Sequence, residues 1–206
     1  MTSPLIRFAL AASLALTGAS ALVSTASAQT QLSDSQILQG LQGLTDTAPA
    51  ITADQMRKMV QQHMAQYPGE ALTRPSLALN LDKLPQINVQ IQFRLNSAII
   101  DPSSYGTLGA IADALHNPVL HGYKFIVTGN TDVTGTREIN LKLSQQRADA
   151  VVNALVSVFN VSPNRLEPVG LGEEVLLDPK NPTSGINRRV QIFTVGRVGP
   201  TPQPIR

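Results

Sequence analysis

Ile87, Val89, Ile91 and Phe93 alternate with Asn88, Gln90, Gln92 and Arg94, the period-two pattern of a strand with one buried face. Asp101-Pro102 then fits a side-chain cap followed by a proline at the first helical position, and Leu108, Ile111, Ala112 and Leu115 fall on one helical stripe. Lys124 to Thr128 reads as a short apolar strand ending in Gly129-Asn130-Thr131-Asp132. Past a glycine turn at Gly135, Ala148, Val151, Val152, Leu155 and Phe159 keep the 3.6-residue period of the strongest helix, whose N-cap is expected at Ser144. Arg165 to Gly170 and Arg188 to Val195 supply two further strands. The order βαβαββ predicts an α+β sandwich with helices packed on one face of a mixed four-stranded sheet. Helical crossovers bring the loop after Thr128 and the start of the long helix to the same sheet edge, where chemistry is expected.

Two amphipathic pieces precede this domain. Ser33-Asp-Ser-Gln36 and Thr52-Ala-Asp-Gln55 read as capping boxes, each pairing an N-cap oxygen with a glutamine three residues on, and each predicts a helix start. Ile37, Leu38, Leu41 and Leu44 recur at helical spacing in the first; Met56, Met59, Val60, His63 and Met64 do so in the second, before Pro68-Gly69 ends the run. The methionine-rich stripe either packs on the domain or offers another protein an adaptable surface, and packing is the expectation. His63 has no second metal ligand nearby and reads as a core or half-buried histidine. Leu72 to Gln86, punctuated by Pro75 and Pro85, is expected to be an extended connector. Residues 1–28 carry Arg7, an apolar run from Phe8 to Leu16 and the Ala26-Ser27-Ala28 site of a cleaved signal peptide. The expected organisation is thus a signal peptide at 1–28, a short helical N-terminal arm and connector at 29–86, the main domain at 87–195 and a flexible, proline-containing tail at 196–206.

Composition narrows the function classes. Of 206 residues, 42% are hydrophobic, which excludes disorder along the whole chain. Sixteen Lys and Arg against fourteen Asp and Glu leave a net charge of only +2, too little for a nucleic-acid grip by bulk charge. Without cysteine there is no disulfide, thiolate metal site, cysteine nucleophile or lipid-modified cysteine. With 4% aromatic residues and no Trp, stacking platforms for bases or sugars are few. His63, His116 and His121 lack metal-ligand spacing, and no acid pair or nucleophile with its base stands out. The expectation is a binding protein with no catalytic residues, metal or cofactor.

Asp132 and Arg147 stand apart from the packing stripes. Asp132 could simply close its own Asx-turn, and Arg147 could be a solvated or salt-bridging arginine. If Ser144 is the N-cap, Arg147 lies in a first helical turn and opposes the helix dipole at a cost of about 0.3–1 kcal/mol. A carboxylate and a guanidinium at one sheet edge together form a receptor for a group carrying both an ammonium and a carboxylate.

Four segments in order, Gly129-Asn130-Thr131-Asp132-Val-Thr-Gly135, Asn140-Leu-Lys-Leu143-Ser144-Gln-Gln-Arg147-Ala148, Gly170-Leu-Gly-Glu173 and Asn187-Arg188-Arg189-Val190, resemble the OmpA-like peptidoglycan-binding domain. The resemblance implies non-covalent binding of the diaminopimelate side chain of the peptidoglycan stem peptide, tethering the protein to the cell wall. It gives Asp132 the ligand's ammonium and Arg147 its carboxylate. Asn140 becomes a third pocket residue and Leu143 a wall, and Asn96-Ser97 matches the end of the first strand, where backbone NH groups meet the ligand. It also implies a periplasmic, wall-associated protein of a Gram-negative bacterium, at the inner face of the outer membrane, and not membrane-spanning when mature. Asn130 stands where a histidine is common and is expected to alter the rim. Arg188 and Arg189 fall on opposite faces of a strand, which leaves open which one supports the pocket. Two rival readings are a periplasmic adaptor whose 33–67 arm docks an outer-membrane protein, and a cell-wall-modifying enzyme.

Overall fold

The computed structural model describes residues 32–42, 51–68 and 76–198. The expected signal peptide, its cleavage site and most of the tail lie outside the described residues.

Helices α1 (Asp34–Leu41) and α2 (Ala53–Gln66) begin at the two expected capping boxes, with Ser33 and Thr52 as N-caps. A further helix, α3 (Ser76–Leu81), precedes strand β1 (Gln86–Val89). Asp101 caps a single 3₁₀ turn, Pro102–Ser104, that leads into α4 (Tyr105–His116). Strand β2 (Tyr123–Asn130), helix α5 (Arg137–Ser157), strand β3 (Leu166–Gly172) and strand β4 (Val190–Arg197) complete the order βαβαββ. The sheet order is β1-β4-β2-β3, with β2 and β3 parallel and the other pairs antiparallel. The expected mixed four-stranded α+β sheet is therefore present.

Side chains alternate across the sheet and make two cores. On one face Phe125 and Val127 of β2, with Val190 and Ile192 of β4, pack against Leu108, Ile111 and Leu115 of α4 and Val151 and Leu155 of α5. Ile37 and Leu41 of α1 join this core. On the other face Ile126, Val169, Leu171, Phe193 and Val195 are covered by Ala53, Met56 and Val60 of α2 and by Ala78 and Leu81 of α3. The domain's own helices α4 and α5 thus share one face, as expected, joined there by α1, and α2 and α3 build a layer on the opposite one. Each large side chain buried this way contributes about 1.5–3 kcal/mol. The methionine stripe packs on the domain: Met56 is fully buried, with Met59 and Met64 partly so.

Three expectations need correction. The stretch expected to be an extended connector contains α3, because a proline immediately before Ser76 is compatible with the helix that follows it. The first strand pairs only from Gln86 to Val89; Phe93 forms a lone bridge with Ile100, and Asp101 N donates to Gln92 O at 2.8 Å, so the chain folds back on itself there. The long helix starts at Arg137 with Thr136 as its N-cap, well before Ser144. Ser144 is fully buried mid-helix; its Oγ donates to Leu141 O and accepts from Gly172 N, both at 2.8 Å. Arg147 is accordingly an interior helix residue, and the dipole cost expected for it does not arise.

This helix lies almost backbone-on-backbone against the sheet. A methyl at Gly129 would overlap the Ser144 carbonyl, and one at Gly170 would stand 2.5 Å from Gln145 N. The two missing side chains let α5 approach the ends of β2 and β3 and fix where its polar residues fall.

Candidate functional site

Past Asn130 the chain leaves the sheet, and Thr131 N donates to Gly172 O at 2.8 Å. That bond sets Asp132 at the sheet edge. Its Oδ1 accepts from Thr134 N at 2.9 Å, closing the Asx-turn, and its Oδ2 accepts from Arg188 Nη1 at 2.5 Å. Its backbone carbonyl accepts from Asn140 Nδ2 at 3.2 Å, and the same amide donates to Glu173 Oε2. Burial pushes the Asp132 carboxyl up, but the Thr134 amide and the Arg188 guanidinium outweigh burial and hold it below its ordinary value.

Arg147 projects from the middle of α5, half-buried. Its Nε donates to Ser97 O at 3.1 Å, and its guanidinium sits 5.0 Å from the Phe93 ring centroid. Burial lowers its pKa, the like charge of Arg188 lowers it further, and the Asp132 carboxylate raises it. The three charges therefore act in one field. A cavity of about 340 Å³ opens here, lined among others by Phe93, Asn130, Arg147, Ile186, Arg188 and Arg189.

Of the residues expected at the site, Arg147 lines this cavity and Asp132 reaches it through Arg188. Asn140, buried, holds the Asp132 turn from its backbone side. Ser97 contributes its carbonyl; its NH donates to Arg94 O at 3.1 Å within the turn, rather than standing free for a ligand as expected. Asn96 is exposed in that turn with φ 49°, and Leu143 is half-buried on α5; neither lines the cavity. Asn130 is buried beyond a mere rim position, its Nδ2 donating to Gln191 Oε1 at 3.1 Å.

Arg188 is the residue that sequence reasoning left undecided. Arg189 is buried and donates to Asn88 Oδ1, Val175 O and Gln191 Oε1. Arg188 closes the 3₁₀ turn Gly185–Asn187 ahead of β4, and its guanidinium reaches Asp132. The strand expected to begin at Arg188 begins at Val190, so strand alternation does not set the direction of either arginine.

Residues 92–190 match the OmpA family. This segment is an OmpA-family domain. Asp132, Arg147, Arg188 and the cavity residues named above fall inside it, while α1, α2 and α3 precede it. Outer membrane porin F of Pseudomonas fluorescens is 32% identical over 108 residues, covering 52% of this chain and 32% of the porin. The peptidoglycan-associated lipoprotein of Pseudomonas putida is 36% identical over 102 residues, covering 48% of this chain and 59% of the lipoprotein. The chain thus matches less than two thirds of the length of either relative. The solved peptidoglycan-associated lipoprotein from Burkholderia pseudomallei is 31% identical, with a TM-score of 0.42 over 60% of this chain and 98% of that one.

A second charged cluster lies apart from the OmpA-family cavity. His63 Nδ1 is 2.5 Å from Glu174 Oε2, and Arg137 donates to both Glu174 oxygens and to Tyr67 O. It ties α2 to the start of α5 and to the corner after β3. Among the described residues no group of His, Asp and Glu could hold a metal ion, and no helix is long and apolar enough to cross a membrane.

Proposed function

We propose that this chain binds peptidoglycan non-covalently in the periplasm, its OmpA-family domain taking the diaminopimelate side chain of the stem peptide. The observation that carries the proposal is the convergence of one carboxylate, Asp132, with the guanidiniums of Arg147 and Arg188 beside one cavity. In this reading Asp132 receives the ligand's ammonium and Arg147 its far-end carboxylate. Phe93 and the Ser97 carbonyl hold Arg147 in place, and Asn140 holds the Asp132 turn. The name of the similar lipoprotein supports wall association, and the porin relative supports a place in the envelope of a Gram-negative bacterium.

A binding role is favoured over its two rivals by local chemistry. Asp132 is held below its ordinary pKa, which suits a permanent anion and not a general acid. The methionine stripe that an adaptor would expose packs on the domain instead, with Met56 fully buried and Met59 and Met64 partly so. Sedimentation with isolated cell wall tests the proposal. The wild type should co-sediment, and Asp132→Asn or Arg147→Ala should each lose roughly 2–5 kcal/mol of affinity by leaving a ligand charge unpaired. Folded variants that sediment like the wild type would overturn it.

A further inference from the structure

We propose that the groove between α2 and α5 is a binding site of its own, taking a small organic ligand with a primary ammonium on an apolar stem and using Glu173 as counter-ion. The inference does not rest on the wall-binding reading. The groove encloses about 780 Å³, a size suited to a small molecule. Its apolar walls are Met64 and Pro68 on the α2 side and Val133, Leu141 and Pro182 on the domain side, each still partly open to solvent.

One acid at this groove lacks the partners its neighbours have. Glu173 lines the groove although only 8% of it is exposed. Its Oε2 accepts from the Asn140 amide, and among the described residues its Oε1 accepts no hydrogen bond. Glu174, the next residue, is held on both oxygens by Arg137 and on one of them by His63. Asp132 is held by Arg188 and by the Thr134 amide. Arg137 also lines the groove, but it is committed to Glu174 and, through Nη1, to Tyr67 O.

The field around Glu173 therefore favours an incoming cation. Burial pushes its carboxyl up, Asn140 pulls back, the charges of Glu174 and Asp132 oppose ionisation, Arg137 favours it, and the net direction is upward. Glu138, exposed on α5, adds a further negative charge to the groove wall. A buried carboxylate with one oxygen unmet costs free energy that a hydrogen-bonded cation offsets. The cation needs an N–H for Oε1, and the groove has no aromatic wall to hold a quaternary ammonium. A compact primary ammonium supplies that donor, while its stem lies along Leu141 and Met64.

NMR titration of the full chain with n-butylammonium tests this, with n-butanol as the same stem without the charge. Butylammonium should shift the methyl signals of Met64, Val133 and Leu141 saturably and bind roughly tenfold or more tighter than butanol. That preference should fade as pH drops through the Glu173 pKa and the carboxylate is protonated. Glu173→Gln keeps an acceptor for Asn140 without the charge, and it should bind amine and alcohol alike. Ala65→Lys leaves Glu173 in place but sets a competing cation on the exposed wall of the groove, and it should weaken the amine and spare the alcohol. Equal binding of amine and alcohol by the wild type, or a preference that survives Glu173→Gln, would overturn the site. A short blocked peptide with one lysine between leucines is the third arm. It should bind no tighter than butylammonium; much tighter binding would overturn the small-ligand assignment and make the groove a dock for a partner protein's lysine. Wall binding is read separately by sedimentation and stands or falls without this site.

Discussion

Asp132 and Glu173 are two buried acids, and the Asn140 amide donates to the backbone carbonyl of the first and the carboxylate of the second, yet their environments push the two carboxyls in opposite directions. For Asp132, burial is outweighed by the Thr134 amide and Arg188, and the pKa is lowered. For Glu173, burial dominates, Asn140 pulls back, the charge of Glu174 pushes up again, and the pKa is raised. The signs of their contributions to stability therefore differ. Ionised Asp132 stabilises the fold above the ordinary aspartate pKa of about 3.9, and that contribution is lost as pH falls through the depressed value. Ionised Glu173 costs stability once pH rises above the ordinary glutamate value of about 4.3, and protonating it relieves the cost. Urea unfolding across acid to neutral pH should show Asp132→Asn less stable than wild type at pH 7, by on the order of 1 kcal/mol, with the gap closing in acid. Glu173→Gln should be the more stable protein at pH 7, its advantage also closing in acid. Parallel curves for all three proteins would mean that neither carboxyl is shifted. Asp132 and Arg147 were legible in the sequence because a turn motif and a helix motif carry them. Arg188 was not, because it stands ahead of β4 at the end of the 3₁₀ turn Gly185–Asn187, where no strand period tells which way its side chain points.

At the scale of elements, helix starts marked by side-chain caps were legible, as at Ser33, Thr52 and Asp101. The start of α5 was not, because its first turns bury the polar Asn140 and Ser144 and show no apolar stripe before Ala148. Those polar residues are buried because Gly129 and Gly170 draw the helix backbone onto the strands. Helix α2 shows the converse: its stripe predicted a buried face, and the structure supplies the surface it covers. Met56 is fully buried in the core beneath α2. Met56→Ala should therefore lower unfolding free energy by about 2–5 kcal/mol in denaturant titration. An unchanged midpoint and slope would mean that α2 is not docked in solution.

For the whole molecule, the alternation of strand and helix periods carried the βαβαββ order, but not the layer that the arm adds. The clue lay in Phe125-Ile126-Val127 and Ile192-Phe193, unbroken apolar runs in the two central strands that demand cover on both faces. Helices α4 and α5 cover one side and α2 and α3 the other, leaving the cavity at the edge where β2 ends and β4 begins. The fold thus presents a fixed charged site beside a sheet that is sealed on both faces. The role proposed for that site is recognition of an ammonium and a carboxylate on one ligand. Titration of the full chain with two stem peptides, one with diaminopimelate and one with lysine at the third position, tests this most directly. The lysine stem keeps the ammonium but lacks the far-end carboxylate. The diaminopimelate stem should bind more than tenfold tighter, and Arg147→Ala should erase most of that difference; equal binding of the two stems by the wild type would contradict recognition of a zwitterion at Asp132 and Arg147.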